Sequence, residues 1–74
     1  MEKTLNELKV GDKTEIVKLK GVGDVKRRLL DMGVVKGTTV EIERVAPLGD
    51  PIEIKIKGYN LSLRKEEASK IIVK

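Results

Sequence analysis

Apolar and polar residues alternate most strictly at Ile52, Ile54 and Ile56, with Glu53, Lys55 and Lys57 between them, which predicts a half-buried strand. Val40 and Ile42, interleaved with Glu41 and Glu43, predict a second strand before it. Gly58-Tyr59 fits a two-residue turn, in a register that sets Ile56 opposite Leu61 and Ile54 opposite Leu63 on one buried face. Thr14 to Lys20 is rich in β-formers, yet Ile16, Val17 and Leu19 do not alternate. That strand is buried on both sides or carries a bulge. Ile71-Ile72-Val73 predicts a closing strand, and Leu5 and Leu8 mark one helical turn or an anchor strand before a turn at Val10-Gly11-Asp12-Lys13.

The helical period occurs once. Val25, Leu29 and Met32 stand at i, i+4 and i+7 with Leu30 beside them, forming one apolar stripe. Asp24 is placed to cap the first turn, Gly33 to take the left-handed C′ position, and Val34 to fold back on the stripe. Lys36-Gly37 predicts a type II turn, and Ala46 to Pro51 a loop stiffened by two prolines. Arg64 to Ser69 reads as a short helical turn. The order is strand, helix, three strands, turn, strand. It predicts a mainly β fold, a small SH3-like barrel of about five strands with one short helix packed on it, in a single domain over residues 1–74.

Composition changes the picture mostly by what it lacks. The 74 residues contain no His, Cys, Phe or Trp, and one Tyr. Disulfides, thiolate zinc sites, Ser-His-Asp triads and an imidazole base at neutral pH are therefore excluded. A single aromatic gives no stacking platform for single-stranded nucleic acid. Without a nucleophile–base pair, catalysis is not expected. Sixteen basic and twelve acidic residues give +4, and both signs are interspersed in a chain that is 38% charged. That describes a solvated surface before it describes an anion-binding one. No apolar run approaches the ~20 residues of a membrane helix, so no direct membrane insertion is expected. Met1-Glu2-Lys3 opens no export signal, which makes the cytoplasm the expected compartment.

Four features invite chemistry. Gly21-Val22-Gly23 precedes the helix, but neither the Walker pattern nor the dinucleotide fingerprint is met, since Lys26 stands where the latter needs glycine. Lys26, Arg27 and Arg28 put cations in the first helical turn, against the helix dipole, so either an anionic partner rewards them or they pair with Asp24 and Asp31. The carboxylate pairs Glu41/Glu43 and Glu66/Glu67 are the only metal-ligand candidates. Oxygen-only sets suit Mg, Ca or Mn better than ferrous iron or zinc. No cofactor and no tight metal site are expected, only weak divalent binding. Finally, the loop presents Leu48, Gly49, Asp50 and Pro51, where Asp50 has no second carboxylate at catalytic spacing and Leu48 offers a rigid apolar contact.

Leu29-Leu30-Asp31-Met32-Gly33, the loop Ala46-Pro47-Leu48-Gly49-Asp50-Pro51-Ile52 and the segment Leu61-Ser62-Leu63-Arg64-Lys65-Glu66-Glu67-Ala68, with Ile71 and Val73, resemble the FeoA family. The resemblance runs from about Leu5 to Val73, with Lys36 standing where the family often has proline. It implies an SH3-like barrel in the cytoplasm that is not an enzyme; a monomer is expected, although an unprotected edge strand could pair two copies. It also implies an accessory or regulatory module of ferrous-iron uptake, docked on the cytosolic part of the GTP-binding permease FeoB. The family is sometimes described as binding transition metals. Lys26, Arg27, Arg28, Leu48, Gly49, Asp50 and Pro51 are carried forward as partner-contact candidates. A nucleic-acid-binding SH3-like barrel is the alternative, disfavoured by the missing aromatics and the lack of a concentrated basic face. A free-standing form of the C-terminal domain of iron-dependent repressors is another.

Overall fold

In the computed structural model, residues 3–21 and 23–74 are described. Met1, Glu2 and Val22 lie outside the described residues, and with them the chain start and the centre of the Gly21–Gly23 turn. Among the described residues six strands occur where about five were expected: β1 (Lys3–Thr4), β2 (Lys13–Leu19), β3 (Thr39–Val45), β4 (Ile52–Ile56), β5 (Tyr59–Leu63) and β6 (Ile71–Val73). A 3-10 turn covers Leu5–Glu7, α1 covers Asp24–Asp31 and α2 covers Lys65–Ala68. The lead-in is thus both a strand and a helical turn. The strands form one antiparallel sheet in the order β1-β6-β2-β3-β4-β5.

Two irregularities curl this sheet. β2 pairs with β3 through Lys13–Glu15 and then with β6 from Ile16 onward. The register shifts between Ile16 and Lys18, which leaves Val17 as the extra residue of a bulge and explains its failure to alternate. A second shift between Ile42 and Arg44 makes Glu43 the extra residue in β3. The bends let Ile16, Ile42, Ile54, Ile56, Leu63 and Ile71 converge on one fully buried core, closed by Leu5 from the 3-10 turn and Leu29 from α1.

The β4–β5 turn differs from expectation by one position. Lys57 and Gly58 both have positive φ, 51° and 84°, which defines a type I′ turn. Ile56 therefore pairs with Tyr59, Ile54 with Leu61 and Ile52 with Leu63. The pairing slides by two residues, one full side-chain period, so Leu61 and Leu63 keep the inward face.

Helix α1 starts one residue earlier and is held differently than its sequence suggests. Gly23 is the N-cap, and Asp24 is the first helical residue without a side-chain capping bond. Only Leu29 is fully buried; Met32 packs partly against the core, while Val25 and Leu30 remain 37% and 43% exposed. The predicted stripe is thus narrower. The C-terminus is as expected. Val34 N–H donates to the Leu29 carbonyl at 3.0 Å and Gly33 N–H to the Leu30 carbonyl at 3.0 Å, closing a Schellman motif. Tyr59, the single aromatic, donates its hydroxyl to the Met32 carbonyl and ties this helix end to β5.

Gly33 has φ of +89°, and a Cβ there would lie 3.0 Å from the Tyr59 hydroxyl oxygen. Gly33→Ala is expected to destabilise the fold by about 1–2 kcal/mol, the cost of a left-handed L-residue. Urea denaturation of the variant checks this, and restoration of wild-type stability in Gly33→Ala alone would contradict it.

Candidate interaction surface

The two segments singled out by sequence meet through α2. Its four residues span about 6 Å. At its start, Lys65 N–H donates to Asp50 Oδ1 at 3.0 Å, so the loop caps the helix from outside. Two residues further on in the same turn, Glu67 Oε2 pairs with the Arg28 guanidinium at 3.0 Å, which joins α2 to α1. Glu67 Oε1 also accepts the Arg64 N–H at 2.9 Å, and the residue is only 6% exposed.

These contacts reassign part of the candidate site. In a helix of only eight residues, Lys26 lies in the first turn but Arg28 falls in the last, where a cation favours the dipole. Arg28 pairs with neither Asp24 nor Asp31 but with Glu67. Lys26 and Arg27 remain exposed on the helix surface. Glu67 was invisible as a partner because it is distant in sequence. Its position three residues after Arg64, where an acidic side chain can reach back to the cap N–H, was the one available signal.

The Ala46–Pro51 loop is closed by its own backbone. Gly49 N–H donates to the Ala46 carbonyl at 2.7 Å, and Ala46 N–H to the Pro51 carbonyl at 3.1 Å. The Asp50–Pro51 peptide bond is cis. Leu48 stands at the tip, 92% exposed, the most exposed large apolar side chain among the described residues. Removing the Asp50 carboxylate (Asp50→Ala) is expected to cost about 1 kcal/mol, as for other capping groups. That corresponds to a melting point lower by about 4–8 °C in a domain of this size.

The carboxylate pairs do not assemble. Across the outer face of the sheet, Glu41 is flanked by Lys13 on β2 and Lys55 on β4, while the bulge removes Glu43 from that row. Lys13, Glu41, Lys55 and Lys57 line a shallow groove of about 370 Å³. Glu67 is committed to Arg28 and Arg64. Among the described residues no three Asp, Glu, His or Cys side chains gather as a metal site. The carboxyl of Glu7 is perturbed. The backbone N–H and the hydroxyl of Thr4 donate to it at 2.7 and 2.8 Å and hold it below its ordinary value. Among the described residues, no helix is long and apolar enough to cross a membrane.

With this geometry, the relatives are informative. The chain is 46% identical over 69 residues to the Fe(2+) transport protein A/Fe(2+) transporter FeoB fusion protein of Porphyromonas gingivalis, covering 93% of this chain but only 8% of that curated relative. The FeoA-like protein of Clostridium acetobutylicum superposes with a TM-score of 0.92 at 42% identity, over 99% of this chain and 85% of the other. FeoA of Stenotrophomonas maltophilia, solved with zinc and described as a procaryotic SH3 domain protein, gives a TM-score of 0.86 at 26% identity, over 97% of this chain and 89% of the other. These likenesses confirm the mainly β, SH3-like architecture. The FeoA domain model matches residues 3–74, and the chain belongs to the FeoA domain family.

Proposed function

We propose that this chain is a non-catalytic accessory module of ferrous-iron uptake that docks on the cytosolic part of a FeoB-type permease. The fused relative carries the reading: a sequence 46% identical to this one is joined there in one polypeptide to a FeoB transporter. Fusion keeps two parts at high effective concentration, which is useful when they act together. The chemistry of the chain agrees. With no His or Cys it has no strong ligand for ferrous iron, so it acts on the transporter rather than on the ion. The module comprises one domain, residues 1–74, and works in the cytoplasm.

The proposed contact centres on Leu48, an apolar side chain on a loop whose conformation is set before binding, with Gly49 and Pro51 shaping its backbone. Lys26 and Arg27 are a second, charged contact. Co-purification of the full chain with the permease of its own host, followed by an affinity measurement on the cytosolic part, tests the reading. Leu48→Asp is expected to leave the melting point unchanged and to weaken binding about tenfold or more, since a buried Leu contributes about 1.5–3 kcal/mol. Recovery of ribosomal proteins without the permease would overturn the docking proposal, and unchanged affinity in Leu48→Asp would overturn the assigned contact.

A further inference from the structure

We propose that the outer edge of β5 receives an extended peptide strand bearing carboxylates at its flanks, added antiparallel as a seventh strand of the sheet. This rests on the sheet and not on the iron-transport reading. Among the described residues β5 pairs with β4 alone, so it ends the sheet at one side, as β1 does at the other. Sheet edges are normally protected by brevity, charge, proline or a bulge. β1 is two residues long and carries Lys3. β5 has none of these devices: Tyr59–Leu63 is five residues with regular pairing and no charged residue or proline, in a chain that is 38% charged.

The turn type defines which groups the edge offers. A two-residue type I′ turn makes Ile56 and Tyr59 a hydrogen-bonded pair, and the alternation then turns Tyr59, Leu61 and Leu63 toward β4. The N–H and C=O groups of Asn60 and Ser62 point the other way, to the free side, and both residues are exposed. An incoming strand that pairs with these two residues would place its alternate side chains beside Tyr59 and Leu61, extending the buried face; Tyr59 is still 43% exposed without it.

Charge selects the occupant. Lys57 precedes β5, and Arg64 and Lys65 follow it, all three exposed. A second copy paired edge to edge, with Asn60 opposite Ser62, would set Lys57 against Lys65 at both ends. That like-charge juxtaposition opposes self-association. The same cations attract a segment with acidic flanks, and Lys13 and Lys55 in the groove beside the turn add to that field.

The test uses the unmodified chain and a capped nine-residue probe, Glu-Glu-Val-Thr-Val-Thr-Val-Ser-Glu, whose threonines fall opposite Ser62 and Asn60. Amide hydrogen exchange at Asn60 and Ser62 is expected to slow on binding, and affinity to fall with salt. N-methylation of the two threonines is expected to weaken binding about tenfold or more, because it removes the hydrogen bonds to the edge. The same change at the central valine, whose N–H faces away, should leave affinity within about threefold. A probe with lysine in place of each glutamate should bind at least about tenfold more weakly. Protection elsewhere than Asn60 and Ser62, indifference to threonine methylation, or equal binding of the lysine probe would overturn the proposal. So would concentration-dependent protection of Asn60 and Ser62 without any probe, which would make a second copy the occupant.

Discussion

Leu29→Ala is expected to cost about 3–4 kcal/mol, within the range of large-to-small substitutions at closed core sites. Leu29 has no exposed surface and is the only side chain of α1 that is fully buried. An eight-residue helix is unstable in isolation, so α1 persists only through what it packs against and how it is capped. Truncating Leu29 therefore opens a cavity and loosens the helix that lines it. A chain of 74 residues has a total stability of about 4–11 kcal/mol, so this single change removes a large share of it. The expected fall in melting point is about 12–30 °C. Leu30→Ala is the control: its side chain is 43% exposed, and the change should stay within about 1 kcal/mol. Equal effects of the two variants would show that α1 is anchored by its capping bonds rather than by its core contact.

Much of the fold was legible because strand and helix periods are local properties. The alternation of Ile52, Ile54 and Ile56, the Gly33–Val34 helix stop and the irregular run at Val17 each translate into the observed element. The misreadings also have local causes. Gly58 was given the first turn position because a type II′ turn takes glycine there. Yet the type I′ turn needs positive φ at both central residues, and Lys57 adopts it at 51°. Asp24 looked like a cap because its carboxylate suits that role, but the chain enters the helix one residue earlier, at a Gly23 with φ of 78°.

The candidate surface was less legible, for a different reason. Contiguity in sequence made Lys26, Arg27 and Arg28 one cluster, whereas a helix turns about 100° per residue and sends neighbours to different surroundings. Likewise Asp50 looked idle because its partner, the Lys65 N–H, belongs to a helix formed fifteen residues later. Bonds between distant segments leave no periodic trace. What they do here is specific: both contacts converge on α2, so this four-residue helix is tied to both of the segments proposed to face the partner.

That arrangement makes Glu67→Ala the second large effect, with an expected loss of about 2–3 kcal/mol. The carboxylate is nearly enclosed and both oxygens are in use, one on the Arg64 N–H and one on Arg28. Alanine leaves the cap N–H without its partner and removes a charge-assisted bond, which together account for that magnitude. Arg28→Ala should cost less, about 1 kcal/mol, because the arginine side chain is 64% exposed and its charge is largely solvated. If the two act as a pair, the double variant will resemble Glu67→Ala alone, with a coupling of about 0.5–1 kcal/mol in the cycle. Raising the salt to about 1 M should shrink that coupling while leaving most of the Glu67→Ala effect, since the bond to the backbone N–H is not screened. A coupling near zero would return Arg28 to the free surface as a partner contact. A measurable one means that weakened docking in an Arg28 variant reports a loosened α1–α2 junction, and that Lys26 and Arg27 are the positions at which a charge change reads the partner directly.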